Sequence, residues 1–167
     1  MKNQQLLLFK DKIELSFGGS KLKGVRKSAR PLSTKRPVHL VLKATNAFFL
    51  LRQMKCVEQV LGKYGKRFGV QIYELGVQAD HLHICLRISN RDGYRKWIRA
   101  VASVLVVQIS GLKWHLRPFT RIGSWGQDFK RVGNYIKKNR TEGEFMLNAH
   151  LRVDEWLAQS LAFRSYS

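Results

Sequence analysis

The run from His81 to Ile88 most constrains how this chain can fold. Its aliphatic residues share one face of an extended strand, whereas His81 and His83 leave the opposite face. The aliphatic residues include Leu82, Ile84 and Leu86. An apolar strand face has to be buried against another layer of structure. The run therefore predicts a sheet that is covered on one side, with two imidazoles on the side that the covering layer leaves open.

The rest of the chain divides into segments of strand or helix periodicity, separated by glycine, proline and asparagine. The predicted strands are Pro37–Thr45, Val70–Val77, His81–Ile88 and Arg117–Trp125. The predicted helices are Ala47–Phe68, a helix capped by Asn90 that runs to about Ile109, a third from Gly126 or Asp128 to Asn139 or Arg140, and a last segment over Val153–Phe163.

This order, β-α-β-β-α-β followed by helices, is the split βαβ or ferredoxin-like plan. It predicts an α+β fold, with two long helices on one face of an antiparallel sheet and the third helix, which carries Tyr135, near the other face. The first and third strands are neighbours in this plan. His39 is therefore expected to lie near His81 and His83.

The charge of the chain points to a polyanionic partner. Its 167 residues contain 31 Lys and Arg against 11 Asp and Glu, for a formal net charge of +20, and 44% of them are hydrophobic, enough for the core of one domain. Nucleic acid is favoured over a membrane surface or an acidic protein, since no basic amphipathic anchor is present. A solvated basic surface or a ribosome-type structural protein stays open as an alternative.

The chain divides into an N-terminal arm (1–36), a main domain (37–140) and a C-terminal helical extension (141–167). The arm holds ten Lys or Arg and two acidic residues. Residues 5–17 could form a short hairpin or an edge strand. The remainder of the arm is either a solvated tail or a segment that orders on a phosphate backbone.

Two absences shape the expected location of the protein. No apolar stretch approaches the roughly 18 residues of a membrane span, and the start of the chain lacks the apolar core of a signal peptide. Cys56 and Cys85 fit no paired metal spacing. We expect a cytoplasmic protein with reduced thiols and no membrane association.

Two imidazoles on a rigid strand form half of a divalent metal site, although such a pair can also be a purely structural, hydrogen-bonded feature. Mg²⁺ and Mn²⁺ favour six-fold sites completed by oxygen, so an oxygen ligand has to come from elsewhere. Asn139 is the first candidate, because it lies one helical turn after Tyr135 on the same helix face. Glu74 and Asp80 are weaker candidates.

Tyr135 lies on a basic helix that can approach phosphates. A phenol is a poor nucleophile at neutral pH, but a metal that coordinates the scissile phosphate makes the phosphorus easier to attack and positions it. The side chains expected to contact DNA are Lys21, Lys23, Arg26, Lys27, Arg30, Lys35, Arg36, Arg121, Trp125, Lys130, Arg131, Lys137 and Lys138.

Together these motifs resemble the HUH superfamily of single-strand nucleases. His81-Leu82-His83 resembles the His-hydrophobic-His signature, and the run from Tyr135 to Asn139 resembles the tyrosine helix of the REP-associated tyrosine transposases, a bacterial group. The resemblance extends over residues 36–140. It implies a ferredoxin-like core, Mg²⁺ or Mn²⁺ bound by His81, His83 and Asn139, and Tyr135 as nucleophile.

The resemblance also implies the reaction, which is cleavage of single-stranded DNA near a hairpin through a 5′-phosphotyrosine intermediate. Two alternatives remain. A non-catalytic nucleic-acid-binding module can use the same ferredoxin-like sheet, and a relaxase or replication initiator performs the same chemistry. The sequence leaves open whether the protein is a monomer or a homodimer.

Overall fold

A computed structural model describes residues 16–19, 29–45 and 49–164 of the protein, with the side chains described up to residue 153. Its strands are β1 (Ser16–Phe17), β2 (Val38–Lys43), β3 (Val70–Val77), β4 (His81–Ile88) and β5 (Phe119–Ile122). Its helices are α1 (Phe49–Arg52), α2 (Met54–Phe68), α3 (Arg91–Gln108) and α4 (Gln127–Arg164).

The strands form one antiparallel sheet in the order β1-β5-β2-β4-β3. The four strands β5-β2-β4-β3 follow the split βαβ plan, so the predicted α+β, ferredoxin-like fold is confirmed. β1 extends the sheet at one edge by pairing with β5. The prediction of an edge strand within residues 5–17 holds for residues 16 and 17, and residues 5–15 lie outside the described part of the chain.

The core lies between the sheet and the helices α2 and α3. Leu82, Ile84 and Leu86 of β4 are fully buried, as is Trp97 of α3. Burial of an aliphatic side chain of this size contributes about 2 kcal/mol, so this layer supplies much of the stability of the fold. The predicted separation of β4 into an apolar face and a histidine face is correct.

The start of the helical layer differs from the prediction. Ala47–Phe68 was expected to be one helix, but residues 46–48 lie outside the described part and the helix is interrupted at Gln53, whose φ of −111° and ψ of 27° are not helical. Leu50 and Leu51 are adjacent and both fully buried. Both lie on α1, ahead of the interruption, and adjacent positions can share one apolar stripe.

The tyrosine-bearing helix is also longer than expected. α4 runs without interruption from Gln127 to Arg164, so the predicted end at Asn139 or Arg140 and the separate segment over Val153–Phe163 are wrong. Residues 140–152 contain no proline, and Gly143 alone does not end a helix. Lys138–Glu142 and Arg140–Glu144 are ion pairs of spacing i, i+4 that support the helix through this stretch.

Length alone does not make α4 a membrane span. Among the described residues, no helix combines enough length with enough apolar character to cross a bilayer.

α4 approaches the sheet closely at Gly143. A Cβ atom at this position would lie 2.3 Å from the carbonyl oxygen of Val77 and 3.1 Å from Cδ2 of Leu51. We expect Gly143→Ala to lower the free energy of unfolding by about 1–3 kcal/mol, because backbone rather than a flexible side chain blocks the methyl group. Urea denaturation measures this change.

Gly133→Ala is the matched control on the same helix. A Cβ at position 133 would meet only Cγ of Glu74, at an ordinary 3.8 Å. The control should be neutral or stabilising by up to about 1 kcal/mol through helix propensity. Equal effects of the two substitutions would contradict the close approach at Gly143.

Candidate active site

β2 and β4 place three histidines on the sheet face that is turned away from α2 and α3. His81 pairs with Lys43, His83 with Val41, and His39 pairs with Cys85, so all of them leave the same face. The ring centroids of His81 and His83 are 4.6 Å apart. Nε2 of His39 lies 3.2 Å from Nδ1 of His83. The structure therefore brings His39 to the histidine pair, as the strand order predicts.

A glycine on β3 allows α4 to cover this site. Gly76 pairs with His83, and a Cβ on it would lie 2.9 Å from the carbonyl oxygen of Ile136. Ile136 is fully buried against the sheet, while its neighbour Tyr135 is 49% exposed. The helix is thus held on the strand beside His83, and the phenol of Tyr135 remains accessible from outside.

The ring of Tyr135 stands edge-on to two of the histidines. Its centroid is 5.1 Å from that of His83 and 6.3 Å from that of His39. This arrangement depends on contacts between β2, β4 and α4, which are far apart in sequence. The predicted meeting of the tyrosine helix with the open face of the sheet is therefore present in the structure.

Burial keeps two of the imidazoles neutral. It lowers the pKa of His83 to about 3, and the positive charges that His81 and His39 would carry lower it further. Burial also lowers the pKa of His39 to about 4, with a smaller contribution from the guanidinium of Arg121. A neutral imidazole is the form that binds a metal.

The same burial predicts acid sensitivity of the metal-free protein. Histidines in the unfolded chain take up protons near pH 6.5, whereas folded His39 and His83 resist protonation down to pKa values of about 4 and about 3. The unfolded state therefore binds more protons in this interval, and stability falls as the pH falls from about 6.5 towards 4.

We expect a loss of about 2 kcal/mol for each histidine, or up to about 4 kcal/mol for the pair, between pH 7 and pH 5, because each pKa unit corresponds to about 1.4 kcal/mol. Urea denaturation at several pH values in a chelating buffer measures it. A free energy of unfolding that stays constant from pH 7 to pH 5 would contradict the neutral buried pair.

The polar contacts of the histidines suit metal ligands. Nδ1 of His81 lies 2.5 Å from Oδ1 of Asp80, a contact that fixes the ring and leaves Nε2 for another partner. Nε2 of His83 is buried and has no hydrogen-bond partner in the described part of the protein. When Nδ1 of His83 donates to His39, this orphaned Nε2 presents a lone pair. The donor set therefore fits a divalent cation.

A third ligand is less well defined. The described residues contain no cluster of three or more His, Cys, Asp or Glu that could hold a metal ion, so an amide or a non-protein oxygen has to complete the site. Asn139 donates through Nδ2 to the carbonyl of Tyr135 at 2.7 Å, which orients its amide. Of the weaker candidates, Asp80 contacts His81, and Glu74 pairs with Lys137 at 3.2 Å.

Gln78 is a site residue that sequence reasoning missed. It is 8% exposed, its side-chain amide donates to the carbonyl of Asn139, and its backbone N–H donates to the carbonyl of His81. Gln78 thereby connects the helix turn that carries Asn139 to the start of β4. Its position three residues before His81 was the only signal in the sequence, and that position is typical of an ordinary turn residue.

Cys85 lies on the same sheet face as the histidines, but its thiol is expected to be unreactive. It is buried, and burial raises the pKa of its thiol to about 11. The thiol therefore stays protonated at neutral pH, so it is a poor metal ligand or nucleophile.

A basic cavity of about 340 Å³ opens beside Tyr135. Arg121 and Arg131 line it together with His39, and Arg121 is held by Asp128 at 2.8 Å. A cavity that presents two guanidinium groups next to the phenol has the charge to receive a phosphodiester.

The other predicted DNA contacts are distributed unevenly. Trp125 is 45% exposed and donates to the carbonyl of Lys35, and Arg36 donates to the carbonyl of Gly123, so these residues gather near the start of α4. Lys130, Lys137 and Lys138 lie on α4. Lys137 forms an ion pair with Glu74, and Lys138 forms one with Glu142.

The arm residues predicted to contact DNA are only partly described. Lys21, Lys23, Arg26 and Lys27 lie outside the described residues. Arg30 contacts Thr120 and Phe17 on the helical side of the sheet.

An aromatic cluster surrounds Trp125. The ring centroid of Tyr73 is 5.7 Å from that of Trp125 and 5.4 Å from that of Phe129. Sequence reasoning included Trp125 but missed Tyr73, which sits at an irregularity in the pairing of β3 with β4. Such irregularities turn a side chain in ways that strand alternation does not predict.

The fold is similar to that of a REP-associated tyrosine transposase solved in complex with a REP hairpin. The TM-score is 0.56 at 13% sequence identity, over 71% of this chain and 74% of the other. A candidate transposase from Deinococcus radiodurans R1 (TM-score 0.39, 15% identity, 68% of this chain and 98% of that one) and the de novo designed protein Ferredog-Diesel (0.34, 17%, 56% and 90%) are more distant. Neither supports a conclusion.

No protein-family model matches the sequence. No curated protein matches it significantly either. The similarity to the REP-associated tyrosine transposase therefore shows the shared fold.

Proposed function

We propose that the protein is a metal-dependent endonuclease and strand transferase for single-stranded DNA, of the HUH single-tyrosine transposase type. One observation carries the proposal. Tyr135, half-exposed on α4, stands 5.1 Å from the ring of His83 and next to a basic cavity. A nucleophile, two neutral imidazoles and guanidinium groups are the parts that phosphodiester transfer requires.

Tyr135 acts as the nucleophile. Its phenol oxygen forms a bond to the phosphorus, the bond from phosphorus to the 3′ oxygen breaks, and the proton lost by the phenol is balanced by one that the 3′ oxygen takes up. The products are a 5′-phosphotyrosine and a free 3′-hydroxyl. A 3′-hydroxyl can reverse the attack, so the bond energy is conserved for strand joining.

His81, His83 and Asn139 would hold Mg²⁺ or Mn²⁺. The metal supplies Lewis-acid activation of the phosphate when it is bound. Asp80 fixes the ring of His81, and Gln78 fixes the helix turn of Asn139. Arg121 and Arg131 neutralise charge on the phosphate in the cavity.

Hairpin DNA with single-stranded flanks is the proposed substrate. The net charge of +20 supports a nucleic-acid partner. The REP-associated tyrosine transposase of similar fold is bound to a REP hairpin, which supports this class of substrate. The aromatic cluster of Trp125, Tyr73 and Phe129 offers a surface on which an unpaired base can stack, worth about 1–3 kcal/mol.

The test is covalent capture. The protein is incubated with a pool of hairpins that carry single-stranded flanks, labelled at the 5′ or the 3′ end, with Mn²⁺ or with EDTA. We expect an adduct that survives SDS, needs Mn²⁺ and retains only the 3′ label, since the downstream fragment carries the 5′-phosphotyrosine. Tight binding of the pool with no adduct would favour a non-catalytic nucleic-acid-binding module instead.

A further inference from the structure

A row of arginines lies on the helical side of the sheet, away from the histidine site. Arg91, Arg95 and Arg99 follow one another at four-residue spacing on α3, so they share one face of the helix. Together with Arg30 and Tyr94 they line a cavity of about 280 Å³. Neither the fold nor the proposed chemistry of Tyr135 requires this cavity.

The positive charge of the cavity is only partly offset within the described part of the protein. Like charges at i, i+4 destabilise a helix, and the exposed carboxylate Asp92 pairs with Lys96 at 2.8 Å and interacts more weakly with Arg95 and Arg99. Neither Arg95 nor Arg99 has a carboxylate within ion-pair distance among the described residues. The segment 20–28, which precedes the cavity in sequence, contains four basic residues and no acidic one.

The buried hydroxyl of Tyr94 indicates that the described part of the cavity lacks a hydrogen-bond acceptor for it. Tyr94 is 2% exposed and lines the cavity, and its hydroxyl has no hydrogen-bond partner among the described residues. A buried polar group without a hydrogen-bond partner destabilises the folded protein. Burial raises the pKa of Tyr94 to about 12, so the hydroxyl keeps its proton and remains a donor.

The remaining wall of the cavity is held in place. Arg30 donates to Oγ1 of Thr120 at 2.8 Å and lies over the ring of Phe17, and Arg91 donates to the carbonyl of Arg30 at 2.8 Å. Burial lowers the pKa of Arg30, Tyr94 raises it and the charge of Arg117 lowers it again, and the net lowering means that the cation is kept there at an electrostatic cost. An anion in the cavity would offset that cost.

The chain that follows Arg30 leads to the candidate active site. It passes Lys35 and Arg36, which contact Trp125 and Gly123 near the start of α4. Residues 30–36 therefore form a basic connection from the cavity on the helical face to the catalytic face.

We propose that this cavity binds a backbone phosphate of the DNA that is cleaved at Tyr135, through the hydroxyl of Tyr94 and the guanidinium groups of Arg95 and Arg99. The inference rests on the proposed function. It adds that the DNA contacts both faces of the sheet, with the segment 30–36 between them, and that the flank of the substrate is anchored away from the cut.

The test compares binding of a labelled hairpin with single-stranded flanks, measured by fluorescence anisotropy in EDTA at several salt concentrations. We expect Tyr94→Phe to weaken binding about tenfold, with an unchanged salt dependence because no charge is lost. Its thermal stability should be unchanged or higher, since the orphaned hydroxyl is gone. A lower affinity that merely followed a lower melting temperature would overturn the role of Tyr94.

The charged variants test the arginines. Arg95→Gln and Arg99→Gln should each reduce the slope of log affinity against log salt by about 1. Arg67→Gln on α2 is the matched control with the same loss of charge, and it should leave the slope unchanged. Equal slopes for all three variants would overturn the proposal.

Two arms separate this inference from other outcomes. If inorganic phosphate raises the melting temperature of the wild type but not of the Arg95→Gln, Arg99→Gln double variant, and both bind the hairpin equally, the cavity takes a small phosphate and the proposal is wrong. If the wild type forms no covalent adduct but the variants still lose hairpin affinity against Arg67→Gln, the proposed function fails and the phosphate cavity stands.

Discussion

Tyr135→Phe is expected to abolish covalent protein–DNA adducts, with a loss of at least about a thousandfold, because the substitution removes the oxygen proposed as the nucleophile. Hairpin affinity should stay within about twofold, since the ring keeps its edge contacts with His83 and His39 and no charge changes. The measurement is the yield of SDS-resistant adduct in Mn²⁺, beside anisotropy in EDTA.

Tyr64→Phe is the matched control. Tyr64 lies on α2, on the other side of the sheet, where its ring stacks on Phe68. This variant removes the same atom and should form adducts at the wild-type level. Adducts that persist in Tyr135→Phe would mean that another group attacks the phosphate.

His83→Gln is expected to have the second-largest effect. The substitution removes the buried Nε2 that has no hydrogen-bond partner among the described residues, and with it one of the two ligands proposed on β4. We expect Mn²⁺ affinity to fall at least about a hundredfold and adduct formation with it, because loss even of a residue that supports a metal ligand typically costs 10- to 100-fold. Electron paramagnetic resonance of free Mn²⁺ measures binding without DNA.

His150→Gln controls for the loss of an imidazole. His150 lies about four helical turns beyond Tyr135 on α4, where its Nε2 contacts Arg52. It should bind Mn²⁺ like the wild type. If His83→Gln kept wild-type Mn²⁺ affinity, the histidine pair would be structural and the metal would have to bind elsewhere.

Local patterns predicted the sheet and much of the site. The alternation from His81 to Ile88 gave the correct bounds of β4 and the correct face for both histidines. Asn90 caps α3 as expected, with its side chain accepting from the N–H of Gly93 at 2.6 Å. These features depend on residues within a few positions of one another, so a single sequence contains them.

Features that depend on distant packing were not predictable. The interruption at Gln53 falls within a stretch of continuous helical periodicity, and Gly143 lies where α4 packs closely on Val77. The first is predicted as part of an uninterrupted helix, and the second lies beyond the predicted end of the third helix at Asn139 or Arg140. Tertiary contacts outweigh propensity at such positions.

The polar surroundings of the site were harder still. Gln78 reads as a turn residue, and only the position of α4 brings its amide to Asn139. Arg30 was expected on a DNA-binding arm, yet its side chain reaches Thr120 on the helical side of the sheet. The folded sheet determines which of its faces the arm contacts, and the sequence of the arm contains no periodicity that predicts this face.

Gly76 fixes how closely the sheet and α4 can approach each other at the candidate site. The absence of a side chain at this one position sets the clearance between the strand of His83 and the helix of Tyr135. A methyl group there would push the strand and the helix apart, so the phenol of Tyr135 would stand further from the imidazoles although every side chain of the candidate site was still present. Activity in such a site can be lost through a change in this spacing alone. A residue without a side chain therefore matters to the site as much as the histidine that it pairs with.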